Sequence, residues 1–216
     1  MNPFYREHFK IICGNNIDDN KFRPVEDEEY IDNWVNRFDM LCEPDYKYGL
    51  LGSTFFMGAT ATLVFVPFVA DRSGRKQIFV ATLLLSLVGQ VGIMLIKDLE
   101  SAYMYQFIIG ATFAGKIVVG FSYLLEFNQT KYYNVLIFLV SLSEYISQIL
   151  ISLWYRYINN GWLLLQIVCA GIAFLTALLY LILVPESPKW QYIKEMCKDA
   201  RVTLVSLPKV NGQEKK

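Results

Sequence analysis

Apolar residues run almost continuously from 49 to 184, interrupted only by short polar patches. The runs LGSTFFMGATATLVFVPF and IFVATLLLSLVGQVGIMLI, and three that follow, each approach the length a bilayer demands, about 20 residues. The pattern predicts five spans, at about 49–70, 78–96, 102–125, 133–155 and 161–184. Aromatic residues mark the ends of the later ones. Tyr103 and Tyr105 open the third, Tyr132 and Tyr133 open the fourth, Trp154, Tyr155 and Tyr157 close it, and Trp162 opens the fifth. Amphipathic rings at headgroup level are the expected anchors of a spanning helix. The expected fold is an all-α membrane protein in three parts: an outer segment 1–48, a five-helix domain 49–184 and an inner segment 185–216.

Two flanking stretches have a helical rather than a spanning period. In EDEEYIDNWVNRFDMLC, 26–42, Tyr30, Ile31, Trp34, Val35, Phe38 and Leu41 fall on one face behind an acidic first turn, which suits the helix dipole. This amphipathic helix either lies on its own membrane domain or docks to a partner subunit. PKWQYIKEMCKDARVTL near the other end reads the same way, with Pro188 at the first helical position and Trp190, Ile193, Cys197 and Leu204 as its apolar stripe.

Composition agrees with a membrane protein: 54% of the 216 residues are hydrophobic and 19% are charged, against about a quarter charged in soluble domains. The charges are also segregated. Eleven of the twenty acids lie in residues 1–47, and seven of the twenty bases lie in 186–216. Between the first two spans sits VADRSGRKQ. Asp71, Arg72, Arg75 and Lys76 would each cost roughly 2.5–3.5 kcal/mol inside hydrocarbon, so they form a loop, with Ser73-Gly74 as its turn. Its net positive charge predicts the cytoplasmic face, or the matrix face of a mitochondrial inner membrane. Lys131 and the basic tail share that side, which puts the acidic N-terminal segment outside. A nuclear-import or nucleic-acid reading of the loop fails because the adjoining spans hold it at a membrane.

The usual catalytic signals do not occur. No nucleotide loop, polar triad or metal-ligand spacing is present, and His8 is the single histidine. No enzyme activity, cofactor or metal is expected. Cys13 and Cys42 share the outer segment and are disulfide candidates if that side is oxidising, whereas Cys169 lies in a span and Cys197 inside. The sequon Asn128-Gln129-Thr130 falls on the inner face, where glycosylation would not occur. No cleavable signal or transit peptide is visible in MNPFYREHFKIICGNN, so internal spans are expected to direct insertion.

Several of these stretches resemble signatures of the major facilitator superfamily. Asp71-Arg72-Ser73-Gly74-Arg75-Lys76 is similar to the loop G-x-L-A-D-R-x-G-R-K between that family's second and third spans. Pro185-Glu186-Ser187-Pro188-Lys189-Trp190 resembles the P-E-S-P-R-W after the sixth span of sugar and organic-ion porters, and Phe38-Asp39-Met40-Leu41-Cys42 the W-D-L-V-C before the second. Glu126 matches the acid that ends the fourth. Over about residues 34–195 the resemblance maps the five spans onto the second to sixth of a twelve-span transporter, without its first span or its second half. It further implies that Asp71, Arg75, Glu126 and Glu186 form a charge network at the inner face. Departures are Pro67 at the loop's leading Gly position, Gln106 where an arginine is expected, and Lys131 standing in for the basic residue after Glu126.

Two ionisable residues fall deep within spans, Lys116 in the third and Glu144 in the fourth. Counted from their shared inner turn they reach similar depths, so they are expected either to pair or to serve as a substrate or ion site. Gly110, Ala111, Ala114, Gly115 and Gly120 in the third span suit close helix packing, within the bundle or against a foreign helix.

Transport in this family needs two halves rocking about a midplane site. With one half lacking a span, the sequence is expected to act as a structural or accessory subunit, with other membrane-protein subunits covering the missing-helix groove. The alternative is one half of a split or dimeric transporter for an organic cation, anion or sugar. The mitochondrial inner membrane and the plasma membrane are both candidate locations; nucleic acid is not an expected partner.

Overall fold

A computed structural model describes residues 33–38, 40, 43–159, 161–198 and 201–203. Cys13, Cys42, His8 and most of the amphipathic stretch 26–42 lie outside these residues. Every regular element described is helical. Four helices are long and apolar enough to cross a membrane, and a bent pair makes a fifth span.

The bent pair is α2 (Asp45–Leu63) with α3 (Phe65–Ser73), which follow a short turn of helix, α1 (Trp34–Arg37). Their axes differ by 47°. Pro67 is the cause: it lacks the N–H that would reach the Leu63 carbonyl, and its ring crowds that same oxygen. Gly74, at φ 110, ends α3 and lets the chain reverse directly into α4 (Arg75–Leu95).

The third span begins at Asp98, whose carboxylate accepts from the Ser101 amide at 2.9 Å and so caps α5 (Leu99–Ala114). A turn of π-helix, Gly115–Val119, then α6 (Gly120–Glu126), complete it. The fourth and fifth spans are α7 (Tyr133–Tyr157) and α8 (Trp162–Leu183). After it comes α9 (Pro188–Ile193), with Pro188 in its first turn and the Ser187 hydroxyl accepting from the Trp190 amide; residues 197–198 and 201–203 are helical again.

The inner helix expected over 188–204 is not continuous. Met196 N–H donates to the Gln191 carbonyl and Glu195 N–H to Tyr192, a Schellman closure with Glu195 at φ 60. The closure turns the chain before the predicted stripe can extend to Cys197.

Small residues let the first and third spans touch backbone to backbone. A Cβ on Gly58 would meet the Phe107 carbonyl, and one on Gly110 the Phe55 carbonyl. The Thr62 hydroxyl adds a bond across this contact, to the Ala111 carbonyl at 2.8 Å. Gly115 and Gly120 serve the opposite side of the same span, against Thr82 and Phe79 of α4. The third span is thus packed on two sides, and α8 packs along α4.

By contrast, α7 has no buried residue. At the end of the domain opposite Gly74, Phe38 and Met40 bury against Ala102, flanked by Trp34, Tyr48, Ile96 and Leu99. Arg37 donates to the Met94 and Ile96 carbonyls at 3.2 and 3.1 Å, satisfying the end of α4. The described part of the N-terminal segment therefore rests on its own helical domain.

Candidate functional site: a latch at one face and the charges within the spans

The loop between the first two spans and the segment after the fifth meet at one face of the domain, the one expected to lie inside. Arg75 starts α4 and Glu126 ends α6. Arg75 Nη1 lies 3.0 Å from Glu126 Oε1, and Arg75 Nη2 lies 3.2 Å from Asp71 Oδ1. The Glu126 side chain is only 7% exposed and that of Arg75 21%, so solvent screens this pair far less than the half-open Asp71 contact.

Glu186 joins the cluster differently. Its Oε1 accepts from the Arg75 and Lys76 amides, each at 3.0 Å, so a carboxylate from beyond the fifth span caps the N-terminus of α4. This is possible because Gly74 precedes it: a Cβ there would stand 2.7 Å from Glu186 Oε2, in a backbone region that side chains rarely enter. Asp71, Arg75, Glu126 and Glu186 are thus held in one cluster.

Sequence reasoning passed over two residues that complete it. Ser187, fully buried, donates to Glu126 Oε2 at 2.6 Å while accepting from the Trp190 amide. The Tyr123 hydroxyl, also buried, bonds the Pro185 carbonyl. The signal for both was available, as Ser187 lies within the Pro-Glu-Ser-Pro run and Tyr123 one turn before Glu126. Trp190 Nε1 donates to the Asp71 carbonyl at 2.9 Å and Lys76 Nζ to the Leu181 carbonyl at 2.9 Å, so side chains from both ends of the domain close the latch. Arg72 is exposed.

Within the membrane, Lys116 and Glu144 do not pair. Lys116 lies on the π-helical turn and donates to Ser86 Oγ of α4 at 2.9 Å; Gln90 donates to the same oxygen at 3.4 Å. Gly115 seats this turn against Thr82, and that contact rotates Lys116 toward α4. Glu144 is exposed on α7 and enters no ion pair among the described residues. Equal depth was the basis for expecting a pair, but depth says nothing about rotation about the helix axis. Cys169 and Cys197 are free and exposed.

Comparison with known proteins gives this arrangement a family. Residues 18–216 match the family described as sugar (and other) transporter. Organic cation transporter 1 of Caenorhabditis elegans is 25% identical over 212 residues, 97% of this chain and 34% of that protein. Solute carrier family 22 member 1 of Oryctolagus cuniculus is 26% identical over 179 residues, 83% of this chain and 32% of its own length. The carcinine transporter of Drosophila melanogaster is 25% identical over 178 residues, 82% and 26% respectively. The chain spans about a third of the length of these relatives. It is an integral membrane protein with a partial major-facilitator bundle, and it belongs to the sugar (and other) transporter family.

Proposed function

We propose that the chain forms one wall of the membrane pathway of an organic-solute transporter, for an organic cation, an organic anion or a sugar, together with further spans. The supporting observation is the inner-face latch. Alternating access requires a half that moves as one body, and Asp71, Arg75, Glu126, Glu186 and Ser187 tie the inner ends of four of the five spans together. The relatives' names, an organic cation transporter and a carcinine transporter among them, point the same way. The positive loop at Arg72, Arg75 and Lys76 favours an orientation with the latch on the cytoplasmic or matrix side. Plasma membrane and mitochondrial inner membrane both accommodate that orientation.

A second reading, an accessory subunit of a larger membrane complex, draws on α7. Lipid accommodates the apolar residues of that span, but exposed Glu144 midway along it needs cover from other protein or a water-filled path. Uptake separates the two readings. The protein is purified from its native membrane with whatever accompanies it, reconstituted into liposomes, and offered labelled tetraethylammonium, benzoate and glucose. Saturable uptake of one of them supports the transporter. Stoichiometric recovery in a multi-subunit assembly with no uptake overturns it in favour of the accessory role.

A further inference from the structure

The segment after the fifth span presents bases and apolar side chains together, at the level of the latch. Pro188 and Gln191 are buried, and the Thr203 hydroxyl donates to Gln191 Oε1 at 3.0 Å, so residues 201–203 return onto α9. Side chains between these two contacts are open. Tyr192, Ile193 and Val202 are 70, 66 and 68% exposed, and Lys194, Lys198 and Arg201 are exposed among them. Over residues 188–216 the sequence holds seven bases against three acids. Glu186, just before, does not offset them, because its carboxylate is engaged by the Arg75 and Lys76 amides.

We infer that this surface docks on anionic phospholipid headgroups of the bilayer, whatever the spans carry. Lys194, Lys198 and Arg201 take the phosphates, while Tyr192, Ile193 and Val202 enter the boundary between headgroups and acyl chains. Depth is the first reason. Four residues separate the end of α8 from the start of α9. The Trp190 Nε1 bond to the Asp71 carbonyl, at 2.9 Å, then keeps α9 beside the end of the first span. Position is the second. The fifth span buries only Trp162, Ala170 and Ala177, so α8 stands at the edge of the described bundle and α9 leaves it where lipid begins. Chemistry is the third. An acidic partner in water would satisfy the bases but leave Ile193 and Val202 wet, whereas an anionic interface takes both kinds of side chain at once. The orientation proposed above also turns this face to the leaflet that carries anionic lipid.

Hydrogen exchange tests this on the chain isolated with its native accompanying spans. The protein is placed in nanodiscs of phosphatidylcholine alone, or of phosphatidylcholine with phosphatidylserine. Amides of residues 193–198 are expected to exchange at least about tenfold more slowly in the anionic discs. Salt at about 1 M should remove the difference. The triple variant Lys194→Gln, Lys198→Gln, Arg201→Gln should lose the lipid dependence while the Gln191 amide, bonded to the Ser187 carbonyl, stays as protected as in the wild type. Ile193→Ser should weaken the protection with every base in place. Equal exchange in the two kinds of disc overturns the proposal, as does a lipid dependence that survives the triple variant. Equal slowing in detergent by inositol hexakisphosphate would identify a soluble polyanion site and overturn it too. So would protection in both discs that vanishes when accompanying chains are stripped away, because a protein would then be what covers this face.

Discussion

Arg75 opens the second span, Glu126 closes the third, and their side chains meet at 3.0 Å with the carboxylate almost wholly enclosed. Such a contact is asymmetric. Removing one partner leaves a charge that has lost both water and its counterion, which costs about 3–5 kcal/mol for a fully buried pair. Since Arg75 keeps 21% of its surface, a loss nearer the lower end is expected for Arg75→Met. The double variant Arg75→Met with Glu126→Leu should be more stable than either single change, because no orphaned charge remains. Thermal unfolding in detergent, followed by tryptophan fluorescence, measures all three. Single variants within about 0.5 kcal/mol of wild type would mean the pair behaves as a solvated surface contact.

Gly74 should tolerate nothing larger. Alanine there must adopt φ near 110 and press its Cβ on Glu186, at a cost of about 1–3 kcal/mol from the backbone conformation alone. Gly171 in α8 is the contrast. A Cβ there meets nothing within 4 Å, so Gly171→Ala should be neutral or stabilise by up to about 1 kcal/mol. Equal effects at the two positions would remove the case for Gly74 as the hinge of the latch.

Much of this was legible before the fold was known. The span boundaries fall within a few residues of expectation because charge and apolar length both limit what enters hydrocarbon, and the kink follows from Pro67. The clustering of Asp71, Arg75, Glu126 and Glu186 was implied by the family resemblance of the motifs that carry them, not by the span pattern. What remained hidden depends on rotation and local closure. The π-turn that points Lys116 at Ser86 has no sequence signature, and neither does the Schellman closure at Glu195, a position where glycine would have given the warning. Ser86 and Gln90 read as unremarkable polar residues of a span until Lys116 is placed beside them.

Asp98 lies in the turn between the second and third spans, and its carboxyl is held below the ordinary carboxylate range by the Ser101 side chain first and by the Ser101 amide second. A lowered folded value means the cap contributes above the unfolded value, about 3.9, and is lost as pH falls through the still lower folded one. The Ser101 amide should therefore keep constant protection, relative to its intrinsic exchange rate, from pH 7 to pH 5 and lose it only in stronger acid. Asp98→Asn should retain a cap while flattening that acid response. Protection already falling near pH 6 would show that another group governs the start of α5.

The separation of Lys116 from Glu144 has a direct genetic consequence. If the two paired, exchanging them would restore what each reversal destroys. With Lys116 on Ser86 and Glu144 on an exposed face, Lys116→Glu combined with Glu144→Lys should fold no better than the worse single reversal. Lys116→Met should be mild or even stabilising, since it replaces a half-buried cation without an ionic partner among the described residues by an apolar chain of similar volume. Detergent-solubilised yield and the unfolding midpoint of the four variants decide the matter. Recovery in the double reversal would require α7 to rotate against α5 and α6, and would return both charges to a single neutralised pair.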